Sequence, residues 1–146
     1  MRMETATPLP PLVIAVVEDH PAEVSCITRM LQAHGLPYIL QVLETRQHAL
    51  HFFDQLAGEV IRCPDLVLLA FTLPGLDTRA LVQWRRAVPA CQGVRIIVTT
   101  GADDPTVEQE ALAFGADAFL QKLVSFPRFL ACGDLSKVVV FGHTQV

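Results

Sequence analysis

Apolar positions fall along the chain in two alternating patterns. Leu12 to Val17 (LVIAVV) is a continuous apolar run rich in β-branched residues, the signature of a parallel strand covered on both faces. It stops at Glu18-Asp19-His20-Pro21, after which Val24, Ile27, Met30 and Leu31 recur at helical spacing, with Pro21 early and Gly35 just past the end. The alternation then repeats. Tyr38–Leu43 reads as a second strand, and Thr45–Ala57 as a helix with Ala49, Phe53 and Leu56 on one face, closed by Gly58. Leu66–Phe71 is the most apolar strand and the expected centre of the sheet. Asp77–Val88 places Leu81, Trp84 and Val88 on one helical stripe, and Val94–Thr99 gives a fourth strand. Asp104-Pro105 is an N-cap and first-turn pair for a helix to about Phe114, and Ala118–Gln121 is a fifth strand. Five strands alternating with helices predict a parallel α/β sheet with right-handed crossovers and helices on both faces.

The ends are less regular. Residues 1–11 are rich in Pro and Thr and read as a loose leader to a domain over 12–136. Ser125 and Pro127 suit the start of a last helix, whereas Val138–Phe141 reads better as strand, so 137–146 is taken as a tail and a candidate dimerisation arm.

Composition narrows the function classes. With 146 residues the chain fits one ordinary domain, and 51% apolar against 18% charged residues excludes a disordered one. A formal charge of −4 without a basic run argues against direct nucleic-acid binding. No apolar stretch approaches the roughly 20 residues of a membrane span, and the N-terminus lacks a signal-peptide pattern, so a cytoplasmic protein away from the membrane is expected. Cys26, Cys63, Cys91 and Cys132 show no C-x-x-C pair and are expected to be reduced, small core residues.

In an open parallel sheet, ligands bind beyond the carboxyl ends of the strands. There the chain places Glu18-Asp19, then Ala70-Phe71 before Thr72-Leu73-Pro74-Gly75, then Thr99-Thr100-Gly101, and finally Lys122. Two carboxylates, hydroxyls and an ammonium would share one crevice. His48 and His51 lie three apart on a predicted helix but have no further ligand at matching spacing, and His20 beside the acid pair is the better metal candidate.

VVEDHP at Val16–Pro21, PDLVLLAFTLPGLD at Pro64–Asp77, VTTG from Val98, and FGADAFLQK at Phe114–Lys122 together make the chain resemble the receiver domain of two-component response regulators, from Leu12 to about Leu135. The resemblance implies a flavodoxin-like (βα)5 three-layer sandwich with a five-stranded parallel sheet of order 2-1-3-4-5. It also implies that Glu18 and Asp19 occupy the metal position, that Thr99, Phe119 and Lys122 occupy the signalling positions, and that the partner is a histidine kinase.

Three departures from that pattern change the expectation. Counted back from Pro74, Gly75 and Asp77, the phospho-acceptor position falls on Ala70, whose methyl group neither attacks a phosphoramidate nor ligates a metal. Leu123 follows the lysine where the family usually has a cis proline, and Thr78 replaces a common glycine in the turn. Together they mark a degenerate receiver more than a single engineered exchange. The expected function is an atypical single-domain response regulator, a non-enzymatic pseudo-receiver acting by protein contacts and as a homodimer. No cofactor beyond weakly held Mg²⁺ is expected, and an ion pair from Lys122 to Glu18 or Asp19 would fix one state. The alternatives are a phosphorylatable receiver using another carboxylate such as Asp19, and a small-molecule binder in the same crevice. The second of these lacks a Gly-rich phosphate loop. The stretch VEDHPAE and the strand-like tail also resemble the stand-alone receivers that serve phytochrome-type kinases.

Overall fold

The structure is a computed structural model that describes residues 11–33, 37–100 and 105–121. Five strands, β1 (Leu12–Val17), β2 (Tyr38–Leu43), β3 (Leu66–Ala70), β4 (Arg95–Thr100) and β5 (Ala118–Gln121), form one parallel sheet of order β2-β1-β3-β4-β5. Helices α1 (Pro21–Ala33), α2 (Arg46–Ala57), α3 (Thr78–Ala87) and α4 (Pro105–Ala113) connect them, with a 3-10 turn at Pro89–Cys91. The expected order and alternation are both present.

Because side chains alternate across a strand, neighbouring residues serve different layers. Ile14, Val16, Leu66, Leu68 and Ile97 pack with Ile27 and Leu31 of α1. Ala15, Val17, Val67, Leu69, Ile96 and Val98 pack on the other face with Phe52, Phe53 and Leu56 of α2, Leu81 and Val82 of α3 and Ala111 of α4. All five residues of β3 are buried, which explains its unbroken apolar sequence and its central place.

Element ends differ from expectation by single residues, each for a visible reason. Thr45 and Asp77 stand outside their helices as N-caps, accepting from the backbone N–H groups of His48 at 3.1 Å and Ala80 at 3.2 Å. Phe71 leaves β3 because its carbonyl accepts from the Thr78 hydroxyl at 2.7 Å. β4 begins at Arg95, whose N–H donates to the Asp65 carbonyl at 3.1 Å, and extends through Thr100. The helix and strand considered after Ser125, and the tail over 137–146, lie outside the described residues.

Two aspartates use one device to start strands. Asp65 donates its N–H to the Val13 carbonyl at 2.7 Å while its carboxylate accepts the Val13 N–H at 2.8 Å. Asp117 does the same with Ile96, at 2.9 and 2.8 Å, and its carboxylate also binds Arg85. Arg85 in turn donates to the carbonyls of Val94 and Gly115, so one guanidinium ties α3 to the entry of β4 and the approach to β5. Asp117→Ala is expected to cost about 1–3 kcal/mol in urea unfolding, since it strands a buried N–H and one guanidinium donor. Unchanged stability would remove the clamp from the account.

The cysteine expectation is corrected at two positions. Cys63, in the loop before β3, and Cys91, at the end of the 3-10 turn, form a disulfide with a Cα–Cα separation of 5.5 Å. They meet because both segments return to the amino-terminal edge of the sheet, a closeness that their 28-residue separation in sequence does not reveal.

Candidate functional site

The carboxyl ends of β1, β3 and β4 lie side by side. The register pairs Val17 with Leu69 and Ala70 with Thr99, so Ala70 sits one step past the Val17–Leu69 pair, between the β1 exit and Thr99. Ala70 and Thr99 are buried, and the Phe71 N–H donates to the Thr99 carbonyl at 2.7 Å. Thr78 is buried as well, its hydroxyl donating to the Phe71 carbonyl and lying 3.3 Å from that of Ala70. The threonine that departs from the turn pattern therefore fastens the backbone beside Ala70.

The turn after β3 is built by Pro74 and Gly75. The Leu76 N–H donates to the Leu73 carbonyl at 3.0 Å and Gly75 has φ +77°, as a type II turn requires. A Cβ at Gly75 would come within 2.8 Å of Cδ of the exposed Arg46 side chain, which can move aside, so it is the dihedral angle that calls for glycine here.

Glu18 and Asp19 follow β1 directly. Glu18 is 2% exposed, and one oxygen, Oε2, accepts from the backbone N–H groups of Asp19 and His20 at 3.1 and 3.2 Å. The same oxygen lies 2.9 Å from His20 Nδ1, which is 3.0 Å from Asp19 Oδ1 and 3.5 Å from Glu23 Oε2. The His20 carbonyl accepts from the N–H groups of Glu23 and Val24, so this residue also opens α1. The Glu18 hydrogen bond, then the charges of Asp19 and Glu23, hold the His20 imidazole above its ordinary pKa of 6.5. An imidazolium at this place also neutralises part of the carboxylate charge.

The structure brings Glu18, Asp19, Ala70 and Thr99 to one end of the sheet, as the sequence predicts. Phe119 is partly buried and packs against the layer under α2, α3 and α4. Lys122, Leu123 and the proposed Lys122 ion pair lie outside the described residues. His48 and His51 are exposed on α2. Glu23, which the sequence does not single out, joins His20 here, and the signal for that placement is the His-Pro pair after two acids, which puts a ring nitrogen at the helix start. Asp65 and Asp77, the two aspartates flanking Ala70 in sequence, hold a strand start and a helix cap. Two cavities, of about 420 Å³ between α3 and α4 and about 390 Å³ beside the disulfide, are lined by residues other than the acid pair, Ala70 and Thr99.

A parallel sheet of this order, with an acid pair at its carboxyl edge, defines a flavodoxin-like α/β domain. The family model of the response regulator receiver domain matches residues 14–132, and the chain belongs to that family, which acts in two-component signalling. It is 29% identical over 118 residues to the phosphate regulon transcriptional regulatory protein PhoB of Rhizobium meliloti (strain 1021), covering 81% of this chain and 48% of that protein. The chain thus spans about half the length of that curated relative. Among solved structures it resembles the phosphorylated cyanobacterial phytochrome response regulator RcpA, with TM-score 0.72 and 17% identity over 88% of this chain and 93% of that one. The response regulator RPA3017 in red light signalling of R. palustris gives TM-score 0.72 and 20% identity over 87% and 92%. At these identities the structures share the fold. Among the described residues no helix is long and apolar enough to cross a membrane.

Proposed function

We propose that this chain is a pseudo-receiver: a receiver domain that signals through protein contacts without aspartyl phosphorylation. The observation that carries this reading is Ala70, a buried methyl group at the end of the central strand, in register with Thr99 and next to the β1 exit. Phosphoryl transfer needs an oxygen nucleophile there. Asp65 cannot supply it, because its carboxylate is held by Val13 at the opposite end of β3, and Asp77 is engaged in capping α3. The acid pair is retained, with the His20 ring against both carboxylates. Its partner is a histidine kinase or another signalling protein of the same pathway, and a second copy of the chain is part of the working assembly.

Incubation of the full chain with acetyl phosphate and Mg²⁺, followed by intact mass, tests the reading. Wild-type protein is expected to gain no phosphoryl group, while Ala70→Asp, shown to be folded by circular dichroism, gains one hydroxylamine-labile adduct. An adduct on the wild type, mapped to Asp19 or elsewhere, overturns the proposal in favour of an alternative acceptor. A folded Ala70→Asp that stays unmodified removes Ala70 from the acceptor position.

A further inference from the structure

The Cys63–Cys91 bridge is reachable from one side. Cys91 is 0% exposed and belongs to the core layer, whereas Cys63 is only partly buried, in the loop before β3. A cavity of about 390 Å³ opens beside the bridge, and Cys63 lines it while Cys91 does not. Leu56 and Val94 supply apolar lining, and Gly93 brings no side chain to fill the space. Glu59 and Arg62, both exposed, carry opposite charges into the same lining, and neither enters an ion pair among the described residues. The third charged group there, the Asp65 carboxylate, is already held by the Val13 N–H.

We propose that Cys63 is a thiol–disulfide exchange site for a small thiol bearing both carboxylate and ammonium groups, of the glutathione kind. The reagent's thiolate bonds to Cys63 Sγ, the Cys63–Cys91 bond breaks, and its electron pair leaves on Cys91 Sγ, which takes a proton from solvent. The products are a mixed disulfide at Cys63 and a free Cys91 thiol. A second thiolate then attacks the reagent's sulfur in that adduct and leaves joined to it as a disulfide. Cys63 Sγ takes the electron pair and a proton, so both cysteines end reduced and the small thiol is oxidised. Access decides which sulfur is attacked, and the cavity reaches Cys63. Arg62 meets a carboxylate of the reagent and Glu59 its ammonium. Breaking the bridge frees the loop before β3 from the turn before β4, at the end of the sheet away from Ala70. The inference therefore stands apart from the acceptor position, and the acetyl phosphate result leaves it untouched.

The full chain, purified without reductant, is incubated anaerobically with reduced glutathione and quenched in acid for peptide mass mapping. Reduced glutathione adds to no free thiol without an oxidant, so an adduct reports an opened disulfide. The adduct is expected on Cys63 and not on Cys91. Arg62→Ala, an exposed substitution, is expected to slow the reaction with glutathione by about two- to fivefold, the size of an exposed ion pair. Its rate with uncharged mercaptoethanol should match the wild type. Because the bridge can reclose before the adduct is trapped, Cys91→Ala and Cys63→Ala, each checked for folding by circular dichroism, are also treated with glutathione disulfide. Cys63 is expected to be modified at least about tenfold faster than Cys91, since a buried thiol reacts only when the structure opens. Alkylation that finds both thiols free before treatment overturns the proposal. So do an adduct on Cys91, equal rates at the two cysteines, or Arg62→Ala reacting with glutathione like the wild type.

Discussion

Leu69→Ala is expected to lower the unfolding free energy by about 2–5 kcal/mol, a large part of the total for a domain of this size. Leu69 is 1% exposed on the central strand, with Val17 and Val98 beside it, and it faces the layer shared by α2, α3 and α4. Strands on both sides and helices above leave the structure little freedom to collapse into the gap, so the cost includes both lost transfer energy and the cavity. Ile39→Ala on the edge strand β2 is the matched control. That side chain is 54% exposed, and its removal should change stability by no more than about 0.5 kcal/mol. Urea unfolding of both variants checks the contrast. Equal effects would contradict the placement of β3 at the centre.

Reduction of the Cys63–Cys91 bridge is the other large effect. Closing a loop between cysteines 28 apart removes disorder from the unfolded chain, and on the loop-entropy account this stabilises by about 3–4 kcal/mol. Dithiothreitol should therefore lower the melting temperature by roughly 10 °C. Cys63→Ala should already melt at the lower temperature and ignore the reductant. The bridge joins the loop before β3 to the turn before β4, so its loss acts on the amino-terminal edge of the sheet, away from Glu18 and Ala70. A wild-type protein that melts identically with and without reductant would show that the pair contributes nothing to stability.

The sheet was readable in the sequence because burial on both faces leaves an unmistakable apolar run at Leu12–Val17 and Leu66–Ala70. The carboxyl-edge constellation was readable for a related reason: in this fold whatever follows each strand lands in one crevice. Other features depend on contacts that no local period encodes. The disulfide joins segments 28 apart in sequence. The Phe71 exit from β3 depends on the Thr78 hydroxyl seven residues on, and the Asp117 clamp depends on Ile96 and Arg85. His20 stood out in the sequence only as the better metal candidate beside the acid pair, and the fold of the β1–α1 turn is what brings its ring onto both acids.

Trp84, the chain's one tryptophan, rests edge-on against Phe53 at 4.9 Å, and its indole nitrogen is buried without a hydrogen-bond partner among the described residues. Such an indole belongs to the layer that α2, α3 and α4 build on one face of the sheet. Its emission is expected to follow the packing of that layer more closely than events confined to α1 on the opposite side of the sheet. The protein thus carries a built-in fluorophore placed in one of its two hydrophobic layers.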